Sequence, residues 1–425
     1  MKESALLRTM FETDRWQGLL DRATEKDIDL TTIKKLCDPM ERMKLYTIIA
    51  QDKYNVFPPH IALIPKDTPG EFREVYVNEP TDRIVLTLIN DCLSEMFSDM
   101  IHPQCKSYQK GIGTQLVVKN ISEEIVRMNS KDKLGYKIDF TKYFDTVKIE
   151  VIDGIFDEIE QRLGFEKGSE PVINLLRRYY HQNVYFDKDG NVCEKYQSLK
   201  QGCACAAFLS NVVMYKLDEY MSNRYKIYYR YCDDLVVIDD NTDNVIAEIN
   251  SIINAYGVTL NPKKVEELYA DKWFKFLGFN IKRNMITLSK TRVKKFQKEI
   301  ESRSIKRKQC SGKQARQAIV KYLYEGEFSW ATSALGIINI EPDIQELNKF
   351  IMDCIRACDT GKKKIGGLGS VDNLPDRTIL RGKGRNVSAN RNKTGYIENY
   401  LSVGCLSNNL KMGKVIFEAS VRSMQ

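Results

Sequence analysis

The sequence predicts an α+β fold. Its strand-like runs are few and far apart, longer stretches of helical periodicity separate them, and the regular strand–helix alternation of a doubly wound sheet is missing. At 425 residues and 43% hydrophobic, the chain is too long for one ordinary compact domain and apolar enough for real cores. About two to four packed units are expected.

Residues 1 to about 60 read as helical, with Ile33, Leu36, Met40 and Met43 at helical spacing. Two apolar runs, 61–65 and 72–77, flank the turn sequence Lys66-Asp67-Thr68-Pro69-Gly70, which predicts a hairpin. Residues 82–97 form an amphipathic helical pattern. Residues 134–138 alternate like a strand that ends at Asp139. Residues 155–163 and 171–180 read as helices, and 198–221 as a loop running into a long apolar helix. Residues 227–238 are two strand-like runs around a tight acidic turn. Residues 245–256 read as a helix and 274–286 as strand-rich. From Lys290 the chain is helical and basic; beyond Gly361 it is rich in Gly, Asn and Lys, with weak periodicity.

The formal net charge of +8 is modest, but it is unevenly spread. Residues 290–321 hold twelve Lys or Arg against Glu299 and Glu301, and residues 362–393 hold nine against Asp372 and Asp376. Such blocks either follow phosphate backbones or stay solvated. The eleven cysteines show no C-x-x-C pair and read mainly as small buried thiols of a reducing cytoplasm. The three histidines (His60, His102, His181) stand near no cysteine pair, which argues against a zinc site or an appended His-metal nuclease. No signal peptide and no eighteen-residue apolar span is expected, so the chain reads as cytoplasmic, with no membrane partner.

The chemistry concentrates in Tyr231-Cys232-Asp233-Asp234, two adjacent carboxylates at the tip of an apolar hairpin. Burying two such charges is costly unless a cation pairs them, and oxygen-liganded Mg²⁺ is the usual one. An ordinary surface turn is the alternative. Asp139, at the end of another predicted strand, supplies a third carboxylate. Three convergent carboxylates can hold two metals and run in-line phosphoryl transfer.

In these residues the sequence resembles reverse transcriptases. Residues 137–145 resemble motif A and Tyr231–Asp234 the Tyr-x-Asp-Asp box of motif C. Further matches follow in the family's order: Asp82-Arg83-Ile84-Val85, Ser107-Tyr108-Gln109-Lys110-Gly111, Gln201-Gly202 with Asn211, Leu260-Asn261-Pro262-Lys263-Lys264, and Phe276-Leu277-Gly278-Phe279. The resemblance covers about residues 60–285. It implies a right-hand polymerase with an antiparallel palm sheet, divided into a helical N-terminal region (1–60), fingers and palm (61–285, palm core about 131–154 and 198–285), a helical basic thumb (286–360) and a basic C-terminal extension (361–425).

The resemblance also implies roles. Asp139, Asp233 and Asp234 are catalytic and, with the Phe140 carbonyl, hold two Mg²⁺ ions, for which Mn²⁺ could substitute. Lys66, Arg73, Phe144, Gln201, Gly202 and Lys264 serve the nucleotide, with Phe144 as an aromatic gate against a ribose 2′-hydroxyl; on its own, Phe144 reads better as core. Phe276, Leu277 and Gly278 form the primer grip. Arg292, Lys295, Arg303, Arg307, Lys363 and Arg385 bind nucleic acid, unless the two basic runs are a solvated helix face and a disordered tail. The partners implied are dNTPs, a noncoding RNA template and an RNA–DNA duplex product, with oligomeric state undetermined.

Motif B departs from many relatives, with Ala206-Ala207 where Ser-Pro is common. That departure and the lack of a His-rich nuclease argue against group II intron and retron enzymes. They resemble instead bacterial enzymes of the unknown-group, defence-associated type, in particular the class 2 defence-associated reverse transcriptase, which implies antiphage defence. Three other readings stay open: a template-independent or protein-primed DNA polymerase of abortive-infection type, a non-catalytic RNA-binding scaffold, and an RNA polymerase with the same palm, which Phe144 disfavours.

Overall fold

The computed structural model describes residues 3–360 apart from 23–29, 67–69, 110, 129–132, 196, 326–328, 331–332 and 335. The expected extension, with Lys363 and Arg385, and most of the turn after Lys66 lie outside the described residues. The chain divides into two compact units, one of residues up to 110 with 134–267, the other of 111–133 with the residues from 268 on.

Two sheets lie in the first unit. One is built on the expected hairpin, β1 (His60–Pro65) and β2 (Phe72–Val77), paired antiparallel in the register Ile64↔Arg73 and Pro65↔Phe72. The other contains β3 (Lys133–Asp139). The pair β4 (Val184–Phe186) and β5 (Val192–Glu194) extends the first sheet, in the order β2-β1-β4-β5. The second sheet runs β6 (Ile227–Tyr231), β7 (Asp234–Ile238), β3, and then β8 (Glu266–Tyr269), where the chain leaves this unit. β3 and β7 are buried along most of their length, and Ile138, Leu235 and Val237 join one core reaching from Leu6 to Val258. The helix Pro80–Met96 supplies its middle with Ile84, Val85, Leu88, Ile89 and Leu93, the i, i+4 spacing of a buried face.

Two expectations about helices change. Ile33 and Leu36 are buried on the helix Leu30–Leu36, but Met40 and Met43 are exposed. Asp38 caps a new helix, Pro39–Ala50, with Pro39 in its first turn, so the apparent stripe crosses a helix boundary. The long apolar helix after residue 198 is likewise two helices, Ala206–Val212 and Tyr215–Arg224.

The second unit joins the helix Thr114–Met128 to a three-stranded antiparallel sheet of β9 (Phe274–Phe276), β10 (Phe279–Lys282) and β11 (Met285–Leu288), in the order β11-β10-β9. The helices Lys290–Ser302, Gly312–Tyr324 and Glu341–Thr360 follow. Ser311 and Gln314 close a capping box at the second of these. Every described cysteine is free, and no helix among the described residues is long and apolar enough to cross a membrane.

Candidate active site

The acidic turn joins β6 to β7. Tyr231 pairs with Asp234, leaving Cys232 and Asp233 as the two turn residues. Cys232 has φ +60°, the sign that a type II′ turn demands at its first central position and that a non-glycine residue adopts at a cost. On the other side of β7, Asp139 of β3 is the direct cross-strand partner of Asp234. The Phe140 amide donates to the Asp233 carbonyl at 3.2 Å, and the Phe140 ring is buried, fixing the backbone between the two acids. Asp139, remote in sequence, thus joins the adjacent Asp233 and Asp234 at one end of one sheet.

Their electrostatics reflect crowding. Burial, and then the charges of Asp233 and Asp139, push the Asp234 carboxyl up to about 6, against the pull of Lys137 and Lys264. Asp139 is raised too, mainly by burial, although Lys264 opposes it. The Lys264 ammonium stands 2.7 Å from Asp139 Oδ2. Burial works against its charge, but the hydrogen bond to Asp139 and the charges of all three aspartates prevail and hold it above the usual lysine range. Among the described residues no three acidic, His or Cys groups form a ready metal cage. Lys264 takes the place beside Asp139 where a cation would balance the charge. An oxygen-only donor set with surplus negative charge fits a hard divalent ion.

The other expected nucleotide residues lie in the same unit. Phe144, on the short helix Tyr143–Thr146, is half-buried, packed on the core and edge-on to Tyr143 at 5.5 Å. Lys66 and Arg73 are exposed on the β1–β2 hairpin, with Lys66 3.7 Å from Glu71. The Gln201 carbonyl accepts the Tyr76 amide at 2.7 Å, so the loop is stitched to β2. Gly202 has φ +102°, and a Cβ there would stand 2.3 Å from Val75 and 2.6 Å from the Tyr76 carbonyl. Only glycine fits so close an approach. Ala206 and Ala207 open the helix Ala206–Val212, and Asn211 locks onto Ser107 by two reciprocal bonds of 2.7 Å. Asp82 is structural, accepting the Tyr54 hydroxyl at 2.5 Å and the Phe57 amide at 2.9 Å.

In the second unit, Phe276 is buried, while Leu277 (φ +47°) and Gly278 (φ +82°) make the two-residue turn between β9 and β10. Arg292, expected on nucleic acid, is committed inside this unit. Its guanidinium lies 4.3 Å over the Phe279 ring and 5.7 Å from the Trp330 ring, and donates to the Leu277 carbonyl at 3.4 Å. Arg303 is also drawn inward, onto the Tyr322 ring at 3.8 Å and into a pair with Glu299. Both placements have one cause: a planar cation beside aromatic faces gains by stacking on them. Lys295 and Arg307 are exposed as expected.

The sequence reading missed Arg230, which is fully buried and paired with Asp218 at 2.6 Å. The signal was present. Alternation places Tyr228 and Arg230 on one face of the same strand, and Asp218 interrupts an apolar helix twelve residues earlier.

Antiparallel strands that gather aspartates at the end of a strained hairpin make an oxygen cluster suited to a hard divalent cation. Residues 64–281 match the reverse transcriptase (RNA-dependent DNA polymerase) family, and the chain belongs to it. It is similar to the putative COX1/OXI3 intron 1 protein of Saccharomyces cerevisiae, 22% identical over 353 residues, 67% of this chain and 41% of that protein. The putative COX1/OXI3 intron 2 protein of the same yeast is 25% identical over 188 residues, 43% of this chain and 20% of that protein. The chain therefore spans less than half the length of these relatives. Among solved structures it is similar to apo telomerase from Candida tropicalis, truncated from the C-terminal domain, with TM-score 0.40 and 16% identity over 57% of this chain and 58% of that one. Telomerase from Candida albicans in complex with a TWJ fragment of telomeric RNA gives TM-score 0.43 and 9% identity over 85% of this chain and 68% of that one.

Proposed function

We propose that this protein is an RNA-directed DNA polymerase that extends a primer 3′-hydroxyl with dNTPs along an RNA template. The observation that carries this reading is the cross-strand pair Asp139–Asp234 beside the Asp233 turn, in a chain of this family. Asp139, Asp233, Asp234 and the Phe140 carbonyl would hold two Mg²⁺ ions, or Mn²⁺ in their place, which lower the pKa of the attacking hydroxyl and steady the leaving pyrophosphate. Lys264, held protonated by the aspartates, is the proton donor for that pyrophosphate. Lys66 and Arg73 grip the triphosphate, Gln201 and Gly202 support the base pair, and Phe144 excludes a 2′-hydroxyl. Phe276, Leu277 and Gly278 serve as the primer grip, and Lys295 and Arg307 touch the RNA–DNA duplex.

The finer reading is a bacterial enzyme of the defence-associated type that copies a dedicated noncoding RNA during antiphage defence. It rests on Ala206-Ala207 and on the basic residues beyond 361. Sequencing the DNA that copurifies with the protein tests both levels. Copies of one noncoding RNA support the full reading, random or homopolymeric product supports a template-independent polymerase, and absence of nascent DNA supports a scaffold. Replacing Asp233 and Asp234 by Ala should abolish product, by about 10³-fold or more, while RNA binding stays intact.

A further inference from the structure

Resting on that polymerase reading, we propose that Arg230 is a positioning residue that locks the Asp233–Asp234 turn to the helix following Gln201–Gly202. Arg230 Nε and Nη2 both bind the Asp218 carboxylate, at 2.8 and 2.6 Å, and neither side chain is exposed. The rest of the guanidinium is spent on backbone carbonyls: Nη2 donates to Asn211 at 3.0 Å, and Nη1 to Cys232 at 3.1 Å and Ser210 at 3.5 Å. Ser210 and Asn211 end the helix Ala206–Val212, where carbonyls have no helical partner. Cys232 is the first residue of the acidic turn. The Tyr143 hydroxyl donates to the same Ser210 carbonyl at 2.6 Å, bringing in the segment that carries Phe144. Arg230 therefore touches the catalytic turn and the helix that follows Gln201–Gly202, and the shared Ser210 carbonyl links it to the segment bearing the proposed sugar gate.

Two arguments make this more than packing. A buried ion pair is a poor stabiliser compared with apolar residues of the same volume, so its worth lies in the geometry it dictates. And Cys232, at φ +60° without being glycine, holds that conformation only where its surroundings over-determine it. The Arg230 bond to the Cys232 carbonyl is such a constraint. Without it the turn relaxes and both aspartates shift.

The test is a triple variant, Arg230→Met with Asp218→Leu and Tyr228→Phe, which removes the pair and the Tyr228 hydroxyl that Asp218 also accepts, so no unpaired charge is left buried. Three quantities are measured: thermal melting, the alkylation rate of each cysteine by mass spectrometry, and kcat and KM for single-nucleotide addition. A cooperative melt is expected. Cys232 should label about ten-fold faster, while Cys92 and Cys354, buried elsewhere, stay protected. The kcat should fall about 10²-fold with KM for the nucleotide little changed. Should the triple variant not fold, Arg230→Lys decides. It keeps the charge but cannot span Asp218 and three carbonyls, so faster Cys232 labelling and a reduced kcat are expected. A folded variant of either kind with wild-type kcat and a protected Cys232 overturns the proposal. A wild-type protein that polymerises nothing, or activity that survives Asp233→Ala, sinks the polymerase reading instead, while Cys232 labelling still reports on the clamp.

Discussion

In sequence, the acidic turn of the first unit and the basic helix Lys290–Ser302 of the other share one trait, a dense excess of one charge sign, but the fold treats them oppositely. At the turn, three carboxylates are brought together, half-buried, with Lys264 beside them and Asp234 pushed up to about 6. On the basic helix and just after it, Arg292 and Arg303 are absorbed by Phe279, Trp330 and Tyr322. Charge left unbalanced at a cost in stability marks chemistry. Charge stacked on aromatic rings marks architecture, and only the exposed remainder is available to a partner.

The sharpest way to break this contrast is Asp234→Asn. It should remove activity by about 10³-fold while stabilising the metal-free protein. The folded carboxyl titrates near 6, above its ordinary value, so the folded state binds the proton more tightly than the unfolded chain. The stability this gives is fully present below about pH 4 and is lost as pH rises to about 6. At pH 7.5 the variant should therefore gain about 1–3 kcal/mol, read as a higher Tm, and its melting should show a shallower slope than the wild type between those pH values, since Asp139 still contributes. An unchanged Tm would mean that the turn carries no such strain. Next, Arg292→Ala should cost about 2 kcal/mol of stability with little change in RNA affinity; the opposite pattern would return Arg292 to the nucleic-acid interface. Phe144→Ala should raise ribonucleotide incorporation by about ten-fold or more, and unchanged sugar selection would reduce Phe144 to core. The smallest effect belongs to Lys295→Ala and Arg307→Ala. Each should leave stability within about 0.5 kcal/mol and lower the slope of log affinity against log salt by about 1.

Much of the site was legible because its signals are local. The alternation around residues 227–238 and 134–139 placed β6, β7 and β3, and the acidic dipeptide marked the turn between β6 and β7. That Asp139 converges on the acidic turn was legible from its place at a strand end, but its register opposite Asp234 was not, since no local pattern reports which residues become cross-strand partners. β4 and β5 were missed because three residues are too few to show a period. Met40 and Met43 misled because helical spacing continues through Asp38 and Pro39, and only the cap reveals the break. The ring partners of Arg292 and Arg303 were not legible for a different reason: composition counts charge but does not see the rings beside it.

The stitch between Tyr76 and Gln201 has a mechanical consequence. With the β2 amide bonded to the loop carbonyl and Gly202 pressed against Val75, β2 and the loop are coupled directly. If Lys66 and Arg73 grip the triphosphate and Gln201 supports the base pair, as proposed, a displacement of β2 would pass straight to Gln201.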